Sequence, residues 1–160
     1  MKLTLKNIKH SEFASEETHC YQAGVYVDGK PMIDVSNDGH GGCDNQHPIK
    51  PFTYKDIEKV NKWCCDNLPK WKYDNKENDT DLEMWCGEEV NKFLTSKVLK
   101  RSMKRKILTL ENNKIYETSY KGTKAITRDL LIKFINKYPD KQILNVMVFT
   151  KALNLYRKYS

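Results

Sequence analysis

The sequence predicts an α+β protein, and three observations carry that prediction. Apolar and polar residues alternate through much of the stretch 1–36, the period of strands. From Thr53 to Val98 the spacing changes to that of amphipathic helices. A second two-strand pattern then flanks Asn112-Asn113, and two more helical stripes follow it. Strands come first, and helices with an inserted hairpin come after them. That order suits an N-terminal antiparallel sheet, two or three central helices with a second β-hairpin, and a C-terminal helix, rather than a βαβ array.

Met1–Ile8 sets Leu3 and Leu5 between Lys2, Thr4 and Lys6, the alternation of a half-buried strand. Two strand patterns, His19–Tyr26 and Pro31–Ser36, flank Asp28-Gly29, and glycine accepts the positive φ that tight hairpin turns require. Two registers are open. A type I turn with Gly29 in a bulge segregates the faces better, setting Tyr21, Ala23 and Val25 with Val35, Ile33 and Pro31. Under either register His19 and Cys20 lie beside Ser36–Asp38, at the mouth of the loop Asn37–Pro48. Thr53 opens a helix with Tyr54, Ile57, Val60 and Cys64 along one face, closed by Leu68-Pro69. Lys70–Asp79 is polar and aperiodic, as an exposed loop would be.

Thr80-Asp81-Leu82-Glu83 has the spacing of a capping box, in which Thr80 bonds a first-turn amide and Glu83 reaches back. Leu82, Cys86, Val90, Phe93, Leu94 and Val98 continue from it as the stripe of the longest helix. Lys106–Leu110 and Ile115–Tyr120 flank Asn112-Asn113, whose side chains tolerate the left-handed conformation. A helix over 123–138 turns Ile126, Leu130, Leu131, Phe134 and Ile135 inward and stops at Pro139. Gln142–Asn145 reads as a short strand, and Phe149, Ala152, Leu153 and Tyr156 fit an amphipathic terminal helix.

A chain of 160 residues suits a single domain over 1–160. No apolar run approaches the roughly 18 residues that span a bilayer, and Met1–Leu5 lacks a signal-peptide core, so membrane partners are not expected. Five cysteines, an odd number without a C-x-x-C, argue against a disulfide framework and for the cytoplasm. Cys64, Cys65 and Cys86 fall in helical patterns as small buried apolar residues. The formal charge of +7 permits attraction to phosphates or to acidic protein surfaces. Nearly all of it is lysine in an asparagine-rich chain, a bias that AT-rich coding also produces, so only local clustering of charge bears on function.

Three constellations are candidates for chemistry. The loop residues Asp38, Gly39, His40, Gly41 and Gly42 can turn successive backbone N–H groups toward one anion, with His40 as a further donor. The alternative is a tight turn leaving the sheet. A zinc ion suits His40, Cys43 and His47 with Cys20 or His19 as the fourth ligand, and Asp38 or Asp44 as further acceptors. The alternative is histidines satisfied by hydrogen bonds. Lys97, Lys100, Arg101, Lys104 and Arg105 share one helical face and can track the phosphates of a nucleic acid. The alternative is a solvated helix end, where the macrodipole also favours cations. A Cys20 or Cys43 nucleophile has histidines nearby in sequence but no assignable orienting group or oxyanion hole.

The opening third also resembles a group of small uncharacterised proteins encoded by phages and bacteria. The residues that carry the resemblance are Leu3-Thr4-Leu5-Lys6, Glu16-Glu17-Thr18-x-Cys20-Tyr21, Tyr26-Val27-Asp28-Gly29-Lys30 and Val35-Ser36-Asn37-Asp38-Gly39-His40-Gly41-Gly42, all within residues 1–48. The resemblance implies a phage or mobile-element accessory protein and carries over no catalytic role. The expected function is therefore binding of a nucleotide, a nucleic acid or a host protein. A metal-dependent phosphoesterase or nuclease built on the His/Cys set is the runner-up.

Overall fold

The computed structural model describes residues 1–160, the side chain of Tyr73 excepted, and the chain divides into two compact units, Met1–Asn91 and Lys92–Ser160. The architecture is α+β, with an N-terminal four-stranded antiparallel sheet, a hairpin between later helices and a C-terminal helix.

The first unit begins with β1 (Leu3–Ser11), β2 (Cys20–Val27), β3 (Lys30–Asn37) and β4 (Asn45–Pro48), paired in that order. β1 runs past its expected end at Ile8. Asn7 takes a φ of 57° in a bulge between Lys6 and Lys9, which resets the alternation and lets pairing continue to Ser11. The hairpin turn corrects the favoured type I reading. Asp28 (φ 49°) and Gly29 (φ 83°) are both left-handed, a two-residue turn whose twist matches that of the strands. The irregularity lies instead between Val25 and Tyr26, so Tyr26 pairs with Pro31 while Val25 keeps Ile33 and Ala23 keeps Val35. Tyr21, Ala23, Val25 and Val27 are buried with Ile33 and Val35, as the alternation predicts, and Pro31 is exposed.

β4 was hidden in the expected loop. Asn-Gln-His-Pro has no apolar alternation, and its place is set by backbone pairing along β3, which puts Asp34 opposite His47 and Ser36 opposite Asn45. α1 (Tyr54–Asn67) starts where expected: the Thr53 N–H and hydroxyl donate to the Asp56 carboxylate at 3.0 and 2.9 Å. It buries Ile57, Val60 and Cys64, whereas Tyr54 is exposed and places its hydroxyl 3.2 Å from His47 Nδ1. The expected loop 70–79 contains a short hairpin, β5 (Trp71–Tyr73) and β6 (Lys76–Asn78), turned by Asp74 and Asn75 at positive φ.

α2 (Leu82–Arg105) is the longest helix, and its cap lies one residue later than the capping box predicts. Asp81 Oδ1 accepts the Met84 N–H at 2.8 Å, while the Thr80 hydroxyl donates to the Pro69 carbonyl at 2.6 Å. Leu82, Cys86 and Val90 are buried in the first unit. In the second, Val98, which continues the four-residue spacing, is 52% exposed, and its neighbour Leu99 is buried instead, packed with Leu108, Leu144 and Ala152.

The second unit is built on a three-stranded sheet, in which β7 (Ile107–Glu111) is central between β8 (Lys114–Thr118) and β9 (Gln142–Ile143). Asn112 and Asn113 turn the β7–β8 hairpin at φ 49° and 60°. Leu108 packs with Leu99, Leu144 and Ala152, joined by Met103, Leu110, Ile115, Phe149 and Tyr156. Ile107 and Ile143 pack with Phe134, joined by Ile126, Leu131 and Ile135. α3 (Arg128–Lys137) starts later than Thr123: the Thr127 hydroxyl accepts the Leu130 N–H, and Ile126 spends its N–H on the Lys104 carbonyl. Asn145 Oδ1 accepts the Leu108 N–H at 2.8 Å, and its amide donates to the carbonyls of Met103 and Lys106, which fixes the short turn between β9 and α4 (Phe149–Tyr159). Among the described residues no helix is long and apolar enough to cross a membrane.

Candidate functional site

The glycine loop after β3 is organised by Asn37. Inward-facing positions of β3 run Ile33, Val35, Asn37, so the side chain of Asn37 is buried and must find partners. Its Oδ1 accepts the Thr18 hydroxyl at 2.7 Å and the Gly39 N–H at 2.9 Å; its Nδ2 donates to the Gly42 carbonyl at 2.9 Å and to Asp44 Oδ1 at 3.1 Å. Two further N–H groups of the loop have side-chain acceptors. The His40 N–H bonds Asp38 Oδ1, and the Gly41 N–H bonds Thr18 Oγ1. The Gly39 carbonyl accepts the N–H groups of Glu16, Glu17 and Thr18 at 3.0, 2.9 and 3.2 Å.

This geometry does not form the expected anion nest at Asp38, Gly39, His40, Gly41 and Gly42. Three of its N–H groups bond side chains, those of Gly39 and His40 within the loop and that of Gly41 to Thr18, while Glu16 Oε2 lies 3.2 Å from His40 Nδ1 and a Cβ on Gly41 would stand 2.2 Å from the Glu17 carboxylate. The expected approach of Cys20 to the loop does hold: a side chain on Gly39 would meet Cys20 Cβ at 3.0 Å. Asn37 is legible in the sequence as the polar residue that continues the apolar positions Ile33 and Val35. His40 pairs with Glu16 at 3.2 Å with both side chains well exposed, an arrangement that contributes little. His40→Ala is accordingly expected to leave the unfolding free energy from urea titration within about 0.5 kcal/mol of wild type; a larger loss would show a structural role for the imidazole.

Behind the loop, the Tyr21 hydroxyl donates to Asp44 Oδ2, and the Asp44 N–H donates to Glu83 Oε1 at 3.2 Å. Glu83, released from the capping box, thereby ties the loop to α2. Burial raises the Asp44 carboxyl above its ordinary value, outweighing the hydrogen bonds from Tyr21 and Asn37, which pull the other way. Tyr21 is pushed up by its own burial and by the carboxylate it faces. The folded state therefore holds the Asp44 proton more tightly than the unfolded chain does. Its contribution to stability is greatest below the unfolded value of 3.8 and is lost as pH rises through the folded one. Asp44→Asn should gain stability relative to wild type across that window, read as urea midpoints against pH; a difference independent of pH would show that Asp44 does not titrate there.

The zinc set is not brought together. Pairing of β4 with β3 sets His47 opposite Asp34, with its ring against Tyr54; His40 turns to Glu16, and His19 Nε2 lies 2.8 Å from Asn91 Oδ1. Cys43 is exposed and Cys20 is half-buried. Among the described residues no three His, Cys, Asp or Glu side chains gather where they would hold a metal. The loop's proximity in sequence is undone by the strand inside it. Cys64 and Cys86 are buried thiols, raised by desolvation, Cys64 to about 11, as inert core residues are.

The basic run fares differently. α2 continues through Arg105, so Lys97, Lys100, Arg101, Lys104 and Arg105 lie on one helix, and all five are exposed. Lys97 Nζ sits 4.5 Å from the Phe93 ring centre and Lys100 Nζ 5.0 Å from that of Phe149, cation–π contacts of the ammonium groups on residues that stay exposed. None of the five is ion-paired to a carboxylate among the described residues. Charge also divides sharply along the chain. Met1–Asn91 holds 11 Lys+Arg and 17 Asp+Glu, net −6; Lys92–Ser160 holds 17 and 4, net +13. Of those four acids, Glu111 pairs with Lys141 at 2.8 Å and Glu117 pairs with Lys106. Coding bias toward lysine acts on the whole chain and does not account for a division of this size.

No protein-family model, curated protein or solved structure matches the chain.

Proposed function

We propose that this protein acts by binding, as a phage-type accessory protein whose C-terminal unit holds the phosphate backbone of a nucleic acid. The observation that supports this reading is the stripe of five exposed, carboxylate-free cations on α2 within a unit of net charge +13. Lys97 to Arg105 spans about 12 Å of helix at 1.5 Å per residue, enough to meet several phosphates along one strand. The stripe holds only lysine and arginine, so contact with phosphates would be blind to sequence. The test is fluorescence anisotropy with labelled duplexes of two unrelated sequences at low salt. Binding of both with similar affinity is expected; absence of binding, or binding of one alone, would refute the reading.

A further inference from the structure

We propose that the outer face of the N-terminal sheet is a second binding site, for a neutral hydroxyl-rich ring: a pyranose of a saccharide or the ribose of a nucleoside. The site lies wholly within Met1–Asn91 and does not rest on the nucleic-acid reading. The register aligns two polar rows across all four strands. Lys9, Gln22, Ser36 and Asn45 form one; Lys6, Gly24, Asp34 and His47 form the next. Between them is a depression of about 310 Å³, lined by Lys9, Gln22, Tyr26, Asp34, Ser36 and His47. That volume is at the lower end of ligand sites and suits a single ring. Gly24, itself buried, adds no side chain to fill it, and the edge of Tyr26 stands 3.3 Å from where a Cβ would be.

A solvated sheet face ordinarily pairs opposite charges across its strands. Here the two lysines and the carboxylate do not pair. Lys6 Nζ sits over the Tyr26 ring at 4.5 Å, and the Asp34 carboxylate has neither an ion pair nor a hydrogen bond among the described residues. His47 is oriented through Nδ1 by the Tyr54 hydroxyl, leaving Nε2 for a ligand. The face thus offers a carboxylate, an imidazole, an amide, a hydroxyl and an ammonium around one small hollow. An anion would meet Asp34 and a cation would meet Lys9. A polyol can use every group, donating to Asp34, accepting from Lys9 and Gln22, and meeting His47 Nε2 as donor or acceptor according to its tautomer. The edge of Tyr26 and Ile49 supply apolar surface for the C–H face of the ring.

Amide chemical shifts of the full chain, titrated with methyl glycosides, with uridine and 2′-deoxyuridine, and with glycine and inorganic phosphate, test the proposal. A glycoside or uridine should shift Gly24, Asp34 and Ser36 with a Kd in the range of about 0.1–10 mM. Asp34→Ala, at an exposed position, should weaken that binding at least about ten-fold, and His40→Ala should not change it. A glycoside that binds while uridine does not identifies a saccharide; uridine that binds while its 2′-deoxy analogue does not identifies a ribose. No shift with either class, shifts confined to glycine or phosphate, or equal binding by Asp34→Ala would overturn the proposal.

Discussion

Raising the salt from about 50 to about 200 mM should weaken binding of a random-sequence DNA duplex by about 10²–10³-fold, a slope near −4.5 in log K against log salt. Five phosphates neutralised by Lys97, Lys100, Arg101, Lys104 and Arg105 release their counterions, and each contributes about 0.9 to that slope. Arg101→Gln with Arg105→Gln should reduce it by roughly 2, because these two carry no aromatic contact and their loss removes charge without unpacking a ring. Lys124→Gln with Lys133→Gln, both exposed, outside α2 and likewise without an aromatic contact, makes the same change in net charge. If the two double variants flatten the slope equally, diffuse charge and not the α2 stripe holds the nucleic acid.

Gly39→Ala should cost about 2–4 kcal/mol of stability, and Gly42→Ala about 0.5 kcal/mol or less. At Gly39 the backbone is left-handed (φ 93°), and an added Cβ would stand 2.0 Å from the Ala14 carbonyl oxygen. That oxygen belongs to backbone, and the segment it comes from is held by three bonds to the Gly39 carbonyl, so the clash cannot be relieved by a rotamer change. At Gly42 nothing lies within 4 Å and φ is outside the left-handed region. Trp63, Trp71 and Trp85 all belong to Met1–Asn91, so tryptophan fluorescence during urea unfolding reads the affected unit. Equal and small losses at both glycines would mean that the loop is not built on the Gly39 contact.

The amino-acid sequence by itself determined the class of fold and most of its elements, because those rest on local physics. Alternation places Tyr21, Ala23 and Val25 on one face, Thr53 with Asp56 starts α1, and paired Asp, Asn or Gly residues at positive φ turn the hairpins at 28–29 and 112–113. The basic stripe was legible for the same reason: its geometry needs only that one helix persist to Arg105.

Tertiary structure decided what depends on distant partners. β4 and the β5–β6 hairpin have no apolar pattern and exist through backbone pairing with a neighbouring strand, which sequence spacing does not encode. That pairing takes His47 to the outer face of the sheet, dissolves the expected metal set and creates the polar rows around Gly24. The glycine loop, which looked like a cradle for an anion, closes on itself because Asn37, Thr18 and Glu16–Thr18 of the preceding loop satisfy its donors and acceptors first. Whether a backbone N–H faces a ligand or its own chain is a matter of which partner lies within hydrogen-bond reach, and only the folded chain sets that distance.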